Sequence, residues 1–134
     1  MKIVINRCYG GFGLSPVAIR EYLKRKGMDC FFYDNSSFDS LIKVSGAKNS
    51  LFIYCSTKDL GERTTWEQME GSYFNPREIP RNDIDLVEVV EILKSKASGR
   101  YSDLRVVKIP DGIEWEIDEY DGLETVEEKH RSWC

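Results

Sequence analysis

The sequence predicts one α/β domain over residues 1–134: a single-domain mixed β-sheet with two main helices and a C-terminal antiparallel hairpin. Three observations carry this. Segments 15–26 and 84–96 repeat apolar residues at helical spacing between clear end signals. Short apolar stretches at 2–6, 28–33, 51–56 and 104–109 have strand length and composition. Residues 113–129 alternate polar and apolar around Asp121-Gly122, a strong two-residue hairpin signal.

Met1–Asn6 is the first expected strand, followed by a glycine-rich connection over Arg7–Leu14. Ser15 is placed to cap a helix and Pro16 to occupy its first position, where a missing N–H costs nothing. Ile19, Tyr22 and Leu23 share one helix face. Lys24, Arg25 and Lys26 suit the negative end of its dipole, and Gly27 is the expected stop. Leu41–Val44 reads as a short strand or helical turn. From Thr57 to Asn82 periodicity is poor, and such a long connection is expected on the surface. Thr65-x-x-Gln68 inside it is a candidate cap for one helical turn. Asn82 or Asp83 begins the second long helix, whose core face is Leu86, Val89, Val90 and Leu93, ending near Ala97. In the last strand, Leu123, Thr125 and Glu127 oppose Glu124, Val126 and Glu128, so the pattern leaves its inward face open.

The chain of 134 residues carries 19 Lys and Arg against 23 Asp and Glu, a net charge of -4. Charge is uneven: residues 1–30 hold six basic and two acidic side chains, whereas 111–128 hold nine acidic and none basic. An anion is therefore expected near the start and repelled near the end. No cluster of Arg and Lys with interleaved aromatics argues for nucleic acid. The segment MKIVINRCYGG lacks signal-peptide form, and no apolar run approaches membrane-spanning length. A cytoplasmic protein without membrane partners is expected. The cysteines at 8, 30, 55 and 134 match no zinc spacing and read as reduced thiols; no metal or cofactor is expected. Alternation places Glu114, Glu116 and Asp118 on one face, which reads as solvated rather than metal-binding.

The stretch NRCYGGFGLSP, Asn6–Pro16, is the most informative. Gly10, Gly11 and Gly13 allow positive φ and close approach to a ligand, and a helix N-terminus follows, suited to phosphate. Arg7 is a candidate charged contact and Ser15 a hydroxyl contact, with Tyr9 or Phe12 available to stack on a ring. If the last strand returns beside the first, His130 and Arg131 border this turn. The Walker pattern fails because no lysine precedes Ser15, and the dinucleotide pattern fails after Gly13. A phosphatase loop fails because Cys8 plus six positions is Leu14, not arginine. A purely structural turn remains an alternative. Non-covalent binding of a phosphorylated or nucleotide-like anion is favoured over a hydrolase or transferase using Cys8 or His130. Trp66, Tyr73 and Phe74 in the long connection suggest a lid or a protein-partner surface, and sheet edges in a small chain suggest a dimer.

The segments NRCYGGFGLS and YDGLETVEEKHRSW together resemble small accessory proteins of tailed bacteriophages and prophages. The resemblance covers nearly the whole chain and attaches no reaction. It implies a phage-derived accessory protein, and with that the host cytoplasm, without assigning virion structure, metabolism or counter-defence. Beside the ligand binder, a phage regulator or counter-defence protein that engages a host protein is the alternative reading.

Overall fold

A computed structural model describes residues 1–35, 40–46 and 53–129. The chain runs β1 (Lys2–Asn6), α1 (Pro16–Arg25), β2 (Phe31–Asp34), β3 (Leu41–Val44) and β4 (Ile53–Ser56). It continues through β5 (Arg63–Thr64), α2 (Trp66–Met69), β6 (Tyr73–Phe74) and a 3-10 turn at Pro76–Glu78. Then come α3 (Ile84–Leu93), a 3-10 extension over Lys94–Ala97, β7 (Leu104–Lys108), β8 (Trp115–Tyr120) and β9 (Leu123–Glu128). The expected α/β architecture with two main helices and a C-terminal hairpin is present. The described strands divide over three antiparallel ladders: β1-β7, β5-β3-β2-β4-β6 and β8-β9.

Helix α1 has the ends its sequence signs. The Ser15 hydroxyl accepts from the Ala18 N–H, and Pro16 opens the helix. At its far end Gly27 has φ +71, with Gly27 N–H donating to the Lys24 carbonyl and Met28 N–H to that of Leu23. That pair of bonds is a Schellman stop. It draws Met28 into the helix end and explains why β2 begins at Phe31, three residues later than its apolar pattern predicts. At α3, Asp83 caps by accepting from the N–H groups of Asp85 and Leu86. Leu86, Val89 and Val90 face the core as expected. The turn at Asp121 (φ 51) and Gly122 (φ 90) closes the hairpin in the register Tyr120↔Leu123.

The main core joins Val4 of β1, Ile19 and Leu23 of α1, Leu86 and Val90 of α3, and Phe32 and Cys55 from one face of the five-stranded sheet. A smaller core of Tyr33, Leu41 and Met69 lies together with Phe31, Tyr54 and Leu60. The long connection is therefore not simply a surface loop. Thr65 caps α2 as its spacing suggests, Met69 is completely buried, and Ile79 joins the main core. The strand expected over 51–56 is present from Ile53 onward as β4; residues 51 and 52 lie outside the described residues.

Tyr22 ties the two helices. Its hydroxyl donates to Asp83 Oδ2 at 3.0 Å, and Lys26 Nζ lies 3.1 Å from the same carboxylate. Burial, then the hydrogen bond to Asp83, pushes the Tyr22 hydroxyl up from 10.0 to about 12. The neutral phenol belongs to the folded state. Its stabilisation is thus complete below pH 10.0 and is lost as pH rises towards about 12. Tyr22→Phe should flatten the fall in urea midpoint across that window. An equally steep fall in the variant contradicts the assignment.

Candidate functional site

The glycine-rich turn is held between two other turns. Asn6, fully buried at the end of β1, organises them: its Nδ2 donates to the carbonyls of Cys8 (2.6 Å) and Gly122 (2.7 Å). Its Oδ1 accepts from the Asp103 N–H at 2.9 Å. A Cβ on Gly10 would stand 2.0 Å from the Tyr101 carbonyl oxygen, and one on Gly122 would stand 2.5 Å from both Gly11 N and Tyr9 O. The Gly13 carbonyl accepts from Gly99 N–H (3.0 Å) and Ser102 Oγ (2.7 Å). Gly10 and Gly122 are thus required where backbone meets backbone, whatever else the turn does.

A buried ion pair stands behind this junction. Arg81 binds the Glu124 carboxylate through both terminal nitrogens, at 2.5 and 2.9 Å, and Glu124 Oε1 also accepts from the Asn6 N–H at 2.8 Å. The Arg81 guanidinium lies 3.6 Å from the centroid of the Phe12 ring. Glu124, on the strand whose inward face the alternation left open, is 3% exposed.

Beside the turn lies an open cavity of about 220 Å³. Its walls are residues 10–14 with Ile19, residues 99–102, Ile53–Cys55 of β4, and the segment Tyr73–Arg77. Two arginines, Arg77 and Arg100, are in the lining, and no carboxylate is. Arg77 Nε donates to the Phe12 carbonyl at 3.3 Å, and its terminal nitrogen would be 3.5 Å from a Cβ on Gly11, where φ is +90. A cation beside Gly11 thus comes from the long connection. Tyr101, 49% exposed, adds a ring surface, whereas Tyr54 and Tyr73 border the cavity on β4 and β6 with their rings on the sheet face opposite Cys55 and Phe74. Tyr54, Tyr73 and Trp66 also meet edge to face, with Tyr54 and Trp66 centroids 4.7 Å apart.

The residues picked from the sequence separate on this geometry. Gly10, Gly11, Phe12 and Gly13 line the cavity. Phe12 is 4% exposed, so its ring is core rather than a stacking surface. Arg7 and Tyr9 are exposed but outside the lining, and Arg7 donates to the Glu124 carbonyl at 2.9 Å. Ser15 also lies outside it. Its hydroxyl donates to the Lys96 carbonyl at 2.6 Å while capping Ala18, and its N–H bonds the Ala97 carbonyl. The start of α1 is therefore sealed by the segment following α3 rather than open to a ligand. Phe74 is drawn inward, its ring stacked 5.9 Å from that of Tyr22, whereas Trp66 and Tyr73 are 44% and 40% exposed. Cys8 is a free, half-buried thiol. His130 and Arg131 lie outside the described residues.

Among the described residues no group of three or more His, Cys, Asp and Glu is placed to hold a metal ion, and no helix is long and apolar enough to cross a membrane. Glu114, Glu116 and Asp118 are exposed, as the alternation suggests. No protein-family model, curated protein or solved structure matches the chain.

Proposed function

We propose that the protein binds a small phosphorylated or nucleotide-like anion non-covalently in the cavity beside the glycine-rich turn, with Arg77 as its principal charged contact and Arg100 as a second. The observation that carries this reading is the lining itself: two arginines without a carboxylate, in a chain whose net charge is -4. Neither arginine has an ion pair among the described residues. Gly11 keeps the wall beside Arg77 low, and Tyr101 supplies a face for a base or sugar. The volume is below the roughly 300–1,000 Å³ of drug-sized sites, which favours a mononucleotide or smaller ligand over a dinucleotide.

A thermal-shift screen of nucleotides, cyclic nucleotides and ADP-ribose derivatives tests this. Removing a charge-assisted hydrogen bond costs roughly 1.5–3 kcal/mol, or about one to two decades of affinity. Arg77→Ala should lose the shift by that measure, while Arg7→Ala should retain it. Equal shifts in wild type and Arg77→Ala reject the assignment.

The exposed Trp66 and Tyr73, packed on Tyr54, support a second reading, a protein-partner surface of a phage regulator or counter-defence protein. Binding to a host partner would then fall on Trp66→Ala and survive Arg77→Ala. A hydrolase or transferase would instead show turnover abolished by Cys8→Ala or His130→Ala. The resemblance to phage accessory proteins and the free thiols support a setting in the host cytoplasm, and light scattering of the purified chain tests for a dimer.

A further inference from the structure

The antiparallel register of β2 and β4 pairs Phe32 with Cys55, which makes Cys30 a diagonal neighbour of Cys55 on the same sheet face. Their sulfurs are 3.4 Å apart. The two thiols differ in surroundings. Cys55 is 2% exposed and lines the cavity, whereas Cys30 is half-buried at the sheet end, one residue before the first ladder pair. The two sulfurs share a hydrogen bond, and Arg20 lies close enough to favour negative charge at Cys30; against the opposing effect of burial, the contact and then the arginine hold the Cys30 thiol below its usual range. The same contact, with burial, pushes Cys55 up. One sulfur is thus suited to ionise and react, and its neighbour to follow.

We propose that Cys30 and Cys55 form a peroxide-oxidisable dithiol in which Cys30 is the reacting thiol and Cys55 resolves it to a disulfide. In the first step the Cys30 thiolate attacks hydrogen peroxide. An S–O bond forms, the O–O bond breaks, and hydroxide leaves and takes up a proton as water. In the second, Cys55 sulfur attacks the Cys30 sulfenic acid. The S–S bond forms, the S–O bond breaks, and the departing hydroxide takes the Cys55 proton. Two thiols are oxidised, and one peroxide is reduced to two waters. The sulfurs need to approach by roughly 1.4 Å to reach bonding distance. Cys30 can supply that movement, because it precedes the ladder. The movement would act on the same strand that presents Tyr54 and Cys55 to the cavity.

The test treats folded protein with substoichiometric hydrogen peroxide, blocks remaining thiols and maps peptides by mass. Free thiols should fall from four towards two, with a linked Cys30–Cys55 peptide that dithiothreitol reverses. Cys55→Ala should hold Cys30 as a sulfenic acid and raise its dimedone labelling roughly tenfold over wild type, since resolution is removed. Cys30→Ser should leave Cys55 unlabelled. Oxidation of Cys8 or Cys134 while Cys30 and Cys55 stay reduced overturns the proposal, as does a linkage that forms only in urea. The wild-type map decides even where a variant fails to fold.

Discussion

Glu124→Ala should destabilise the protein by about 3–5 kcal/mol, the range for breaking a buried ion pair from one side. The carboxylate is 3% exposed and receives three hydrogen bonds, two from Arg81 and one from the Asn6 N–H. Its loss leaves the Arg81 guanidinium, 15% exposed, without its anion, and leaves the Asn6 N–H without an acceptor. Arg81 also reaches β1 through its backbone carbonyl, which accepts from the Val4 N–H at 2.9 Å. Losing the pair therefore loosens the junction of β1, β9 and the glycine turn together. A domain of this size has a total stability of roughly 5–15 kcal/mol, so the urea midpoint should move far. Truncating both partners to apolar residues, as in Glu124→Leu with Arg81→Met, should recover part of the loss because no lone charge remains. A single-variant loss under about 1 kcal/mol would mean that the pair is solvated rather than buried.

The second large effect separates two glycines that share a positive φ. Gly112 and Gly122 have φ of +81 and +90, so alanine is strained at both. A Cβ on Gly112 meets nothing within 4 Å, whereas one on Gly122 meets backbone atoms of Gly11 and Tyr9 at 2.5 Å. Gly112→Ala should cost only the conformational strain, about 1–3 kcal/mol. Gly122→Ala should add about 1–3 kcal/mol for the forced separation of two turns. Equal losses would show that the DG turn and the glycine-rich turn are not pressed together.

Local chemistry explains which parts of this fold are readable in advance. Ser15-Pro16, Asp83 and Asp121-Gly122 act through their own and adjacent backbone, so a few residues suffice to predict what they do. Gly27 is similar, although its Schellman bonds extend to Met28 and delay β2. The junction that organises the candidate site is different in kind. Arg81 and Glu124 are 43 positions apart, and Asn6 reaches Gly122 across 116. No periodicity announces either pairing. Glu124 even violates the usual rule that a carboxylate on a strand faces water. A buried Asn ending an apolar strand was the available signal for Asn6, since a polar group there needs partners from elsewhere. Arg77 was hidden for another reason. It sits in the least periodic part of the chain, and its guanidinium reaches the Phe12 carbonyl across 65 positions. Gly10, Gly11 and Gly13 line the cavity, while its arginine at 77 comes from a distant segment.

Isothermal titration of the best nucleotide-like ligand from the screen tests the central claim most directly. Wild type, Arg77→Ala and Arg7→Ala are compared at low and high salt, with folding checked for each. The account predicts one site per chain, affinity weakened by about one to two decades in Arg77→Ala, little change in Arg7→Ala, and weakening by salt in the wild type. Equal affinity in folded wild type and Arg77→Ala, unaffected by salt, would contradict an anion site at this cavity.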